Sequence, residues 1–110
     1  MHKLLIAAAV AAFGALVSLA LRRAVQQRVA RWLRENGLAN SALMDAVLLL
    51  DMVGTRVRAR VKVVTRSYRQ EILMIERTYS IEQIKDAQLR AALQQRGQAE
   101  QNILSLFNTA

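Results

Sequence analysis

Residues 55–79, TRVRARVKVVTRSYRQEILMIERTY, carry two competing periodicities, and the fold depends on which one governs. Read as a strand, the segment puts Arg56, Arg58, Arg60 and Lys62 on one side and Val57, Ala59, Val61 and Val63 on the other, in β-branched company. That alternation fails at Val63-Val64. Read as a helix, it places Val57, Val61, Val64, Tyr68, Ile72, Ile75 and Tyr79 within about 80° of one another, at spacings of four and three. A strand also needs a neighbour, and no Gly, Asn, Asp or Pro between Thr55 and Tyr79 offers a tight hairpin turn. The segment therefore reads as a long helix, with a β-strand at residues 55–64 as the alternative.

The segments on either side are read the same way. Residues 41–53 begin at Ser41, a good N-cap, and stop before Gly54, which suggests a short buried helix. On it Asp45 and Asp51 would lie about 120° apart, too far round to work as a catalytic pair. Residues 80–108 open with Ser80-Ile81-Glu82-Gln83, a capping-box pattern. A loose apolar stripe follows, including Ile84, Leu89, Leu93, Ile103 and Phe107, as expected of helices that pair between subunits. Gly97 would mark a bend there.

Toward the N-terminus, residues 4–21 read LLIAAAVAAFGALVSLAL, uncharged and bounded by Lys3 and by Arg22-Arg23. As a helix this stretch extends about 27 Å, enough to cross a thin bilayer. Arg22, Arg23, Arg28, Arg31 and Arg34 outweigh His2 and Lys3, so the expected topology is N-out and C-in with a cytoplasmic body. The alternative is a secretory signal cleaved after Ser18-Leu19-Ala20, leaving a periplasmic protein. The expected organisation is a transmembrane anchor at 1–21, a basic juxtamembrane helix at 22–36 with Trp32 near headgroup level, and a helical self-association region at 37–110. The fold class is all-α.

Composition narrows the chemistry. The 110 residues contain no proline and no cysteine, and His2 is the single histidine. Disulfides, thiolate nucleophiles and Cys/His metal clusters are thereby excluded. Glu71, Glu76, Glu82 and Asp86 are dispersed among basic residues, and Thr65, Ser67 and Thr78 have no histidine near them in sequence. No enzyme activity, cofactor or metal site is expected.

The net charge of +8 is concentrated at residues 22–36, which carry +4, and 55–79, which carry +5. Contacts with anionic lipid are assigned to Arg22, Arg23, Arg28, Arg31 and Arg34, and to Arg56, Arg58, Arg60, Lys62, Arg66 and Arg69. Nucleic-acid phosphate is the alternative target of the same residues, as in a phage particle or a DNA-transfer machine. It is weakened because Tyr68 and Tyr79, the aromatics nearest the basic run, fall on the apolar stripe. That stripe, Val57 to Tyr79, is the expected surface for a homo-oligomer or for subunits of a membrane complex. The expected function is a small single-pass membrane protein that serves as an assembly component.

Overall fold

In the computed structural model, which describes residues 19–107, the chain runs helix, three strands, helix, strand. Helix α1 spans Leu19–Glu35, and strands β1, β2 and β3 span Leu43–Val53, Arg56–Thr65 and Gln70–Tyr79. Helix α2 follows at Ala87–Arg96 and strand β4 at Gln98–Asn102, with short 3-10 turns at 40–42, 81–83 and 104–106. The four strands form one antiparallel sheet in the order β3-β2-β1-β4. The all-α expectation is therefore corrected: residues 55–79 are two strands of a mixed fold, and residues 41–53 are mostly a third.

Alternation decides the matter once a neighbour exists. Val57, Ala59, Val61 and Val63 are all fully buried, beside Leu48 and Leu50 of β1 and Leu73 of β3. Arg58, Arg60 and Lys62 project to the opposite face, where they pair across the ladder with Asp51, Leu49 and Val47. The aliphatic stems of such long cations cover apolar neighbours while their charged ends stay in water. A spacing of four residues is close to one helical turn and is also two strand repeats, so the apparent helical stripe was strand periodicity read on the wrong template.

Two hairpin turns join the three strands. Gly54, at φ 62°, is the first of two loop residues between Val53 and Arg56, the position where a two-residue hairpin favours glycine. The β2–β3 loop at 66–69 has no glycine. Instead Thr65 organises it: its amide donates to Arg69 O at 2.8 Å, and its hydroxyl accepts from the Arg69 amide at 3.1 Å. Tyr68 takes the left-handed conformation there, at φ 63°.

One face of the sheet is covered. Helix α1 contributes Leu21, Val25, Val29, Trp32 and Leu33, and α2 contributes Leu89 and Leu93, to a single core with the inward strand residues. Asp86 caps α2 by accepting from the Gln88 amide at 2.9 Å, and Gly97 closes it at φ 76°. The Ser80–Gln83 capping box forms as read, but on a 3-10 turn, and the chain from 98 to 102 is strand. The extended C-terminal helices and coiled-coil pairing expected for 80–108 are thus replaced by one ten-residue helix and an edge strand.

Among the described residues no helix is long and apolar enough to cross a membrane, which corrects the single-pass placement with a cytoplasmic body. Residues 4–18 of the expected span, and with them the signal-segment alternative, lie outside the described residues. The last residues of that span, 19–21, begin α1, and Leu21 is buried in the protein's own core. Trp32 is likewise buried, so it does not sit at a headgroup level.

Candidate anion-binding groove

Residues recurring at three and four along α1 share a face, and here one such row is Ala20, Arg23, Gln27, Arg31 and Arg34. The core residues of α1 lie on the other side of the helix. Beside this row runs the end of β3, and between them lies an open groove of about 670 Å³. It is lined by Arg23, Arg28, Arg31 and Arg34 from α1, with Ala20, Ala24 and Gln27, and by Met74, Ile75, Glu76 and Arg77 from β3. Among the described residues five arginines and one glutamate thus line the groove.

An irregularity in the sheet builds the β3 wall. Arg60 pairs with Met74 and Arg58 with Thr78, so β3 uses four steps where β2 uses two. Ile75, Glu76 and Arg77 have no residue opposite them in the register. Bulges of this kind re-aim side chains, and this one lets consecutive residues line the same groove. Beta3 is also an edge strand, whose outer side pairs with no strand among the described residues.

The arginines of the groove differ from those of β2 and the β2–β3 loop. Among the described residues the side chains of Arg23, Arg28, Arg34 and Arg77 make no hydrogen bond or ion pair, and that of Arg31 has one loose contact with Glu35 at 3.7 Å. That pair is solvent-exposed on both sides and contributes little. By contrast, Arg58 makes a two-pronged contact with Asp51, at 3.2 and 2.6 Å, and Arg60 approaches the same carboxylate at 3.8 Å. The bonded, oppositely charged Asp51 holds Arg58 above its ordinary pKa. Arg56 donates to Thr78 O at 3.1 Å, Arg66 to Ser41 O at 2.8 Å and Arg69 to Asn36 Oδ1 at 2.7 Å.

The structure therefore divides the basic residues marked in the sequence. Arg23, Arg28, Arg31 and Arg34 gather in the groove, whereas Arg22 lies outside it with its Nε buried and unbonded. Arg56, Arg58, Arg60 and Lys62 stand on the open sheet face, where Asp51 neutralises part of their charge. Arg66 and Arg69 brace the β2–β3 loop against neighbouring segments. Arg77 was missed; its one sequence signal was the Glu76-Arg77 pair that interrupts the apolar run of β3.

The expected partner stripe is not a surface. Val57, Val61, Ile75 and Tyr79 are buried in the core. Val64 pairs across from Asp45, on the sheet face opposite Val61 and Val63. Tyr68 stands in the loop, and Ile72 lies exposed on β3. Helical periodicity had joined residues that the strands send to opposite faces.

A second groove, of about 410 Å³, lies between α2 and β4 and sets Arg96 against Asp86 and Glu100. Among the described residues no three His, Cys, Asp or Glu side chains gather to hold a metal ion. No family model, curated protein or solved structure matches the chain.

Proposed function

We propose that this protein is a non-catalytic attachment module that holds an elongated anionic partner in the groove between α1 and β3. The observation carrying this reading is the gathering of five arginines in one groove, four of them without a side-chain acceptor among the described residues, whereas Arg56, Arg58, Arg66 and Arg69 are bonded to Thr78, Asp51, Ser41 and Asn36. Like charges spaced three and four apart on a helix cost a few tenths of a kcal/mol per pair. A partner that supplies acceptors offsets that repulsion, and bidentate arginine contacts favour carboxylate or phosphate. The row from Arg23 to Arg34 extends about 16 Å along the helix axis, which suits a chain-like partner.

The test is retention of the full-length protein on an immobilised polyanion as salt is raised. Charge reversal in the groove, Arg31→Glu with Arg34→Glu, is expected to move elution to lower salt by far more than Arg96→Glu does. Equal shifts for the two would show that net charge alone governs binding, and the reading would fail.

A further inference from the structure

The groove is more than a patch of positive charge, and its other features bear on what kind of anion it takes. Resting on the attachment reading above, we infer that its occupant is an extended acidic segment of a partner polypeptide, lying along α1 beside the edge of β3. The groove supplies apolar surface through Ala20, Ala24 and Met74. Successive side chains of an extended chain point to opposite sides, so an acidic sequence with alternating small apolar residues meets both the arginines and this surface.

The hydrogen-bonding character of the groove selects further. Glu76 is an acceptor, and the Gln27 amide and the edge of β3 each offer both donors and acceptors. A phosphodiester backbone brings acceptors alone and leaves the groove's own acceptors unmatched. A peptide backbone brings N–H donors as well, and carboxylates that fit the guanidinium fork in two-pronged fashion. Among the described residues no aromatic side chain lines the groove to give unpaired bases a stacking platform. Adjacent carboxylates on one side of an extended chain are about 6.6 Å apart, so the row from Arg23 to Arg34 spans roughly three of them.

The experiment measures binding of the full-length protein to three labelled probes at matched ionic strength. They are a peptide of alternating glutamate and valine, oligothymidylate, and vesicles containing phosphatidylserine. The expected result is that the peptide binds in preference to the other two. Its affinity should fall at least tenfold in both Arg23→Glu and Arg77→Glu, and stay within twofold in Arg96→Glu, with circular dichroism unchanged in all three. Should oligothymidylate or vesicles bind through Arg23 and Arg77 while the peptide does not, the peptide inference is overturned and the attachment reading stands. Should no probe respond to Arg23 and Arg77, both are overturned.

Discussion

The Trp32 indole nitrogen donates a hydrogen bond to Glu71 Oε2 at 2.6 Å, tying the last turn of α1 to the start of β3 across 39 residues of sequence. The ring is buried and the carboxylate is exposed, so the bond satisfies a donor that would otherwise be cut off from water. It also fixes the end of α1 against the strand that forms the other wall of the groove.

Removing that acceptor has a calculable cost. An unsatisfied buried donor costs about 1–3 kcal/mol. Glu71→Ala is expected to lower stability to urea by an amount in that range, and Glu71→Gln, which keeps an acceptor oxygen, by less than half as much. Equal losses for the two would assign the effect to packing instead of to the hydrogen bond.

Tyr79 gives the protein an alkaline limit. Its ring is buried, its hydroxyl has no hydrogen-bond partner among the described residues, and burial raises its pKa above the ordinary value of 10.0 despite the opposing charge of Arg77. The folded state then keeps its proton where the unfolded chain has begun to release it, so stability is intact below pH 10.0 and declines as pH rises through and beyond it. Tyr79→Phe is expected to flatten that decline in pH-dependent denaturation, with no loss of stability at neutral pH.

The two faces of the sheet predict opposite outcomes for the same substitution. Val61 is fully buried between β1 and β3, whereas Ile72 is 47% exposed. Val61→Asp places an unpaired charge in the core and is expected to cost more than about 4 kcal/mol, enough to unfold most of the population. Ile72→Asp is expected to change stability by no more than about 1 kcal/mol. Thermal denaturation followed by circular dichroism separates the two.

Tyr68 stores strain in the β2–β3 loop. It is 81% exposed, so little packing compensates its left-handed backbone, which costs a non-glycine residue about 1–2 kcal/mol. Asparagine tolerates that conformation better, and Tyr68→Asn is expected to raise the melting temperature. A lower melting temperature would mean that the tyrosine ring makes a contact worth more than the strain.

Much of the local structure was legible in the sequence. The helix read over 22–36 forms as α1, with Val25, Val29, Trp32 and Leu33 on its buried side and Gly37, at φ 66°, beyond its end. The alternation from Arg56 to Val63 was also visible, as were the cations on its outer side. What conceals the strand is the β2–β3 turn, built by the Thr65 side chain and by a tyrosine in a conformation more often given to glycine or asparagine. The same turn conceals β3.

By itself, the sequence determined where the charge lies, which chemistry the lack of cysteine excludes, and which face of α1 is apolar. These depend on composition, or on helical contacts made within a few residues. Only the tertiary structure decided that Leu43–Val53 and Gln70–Tyr79 are strands, because a strand is stabilised by cross-strand neighbours and hydrogen bonds that no local window contains. Only it brought Arg77 beside Arg23, Arg31 and Arg34, since the groove joins a helix to a bulged edge strand some fifty residues later. A site assembled over that distance exists only when the sheet has paired and α1 has packed on it.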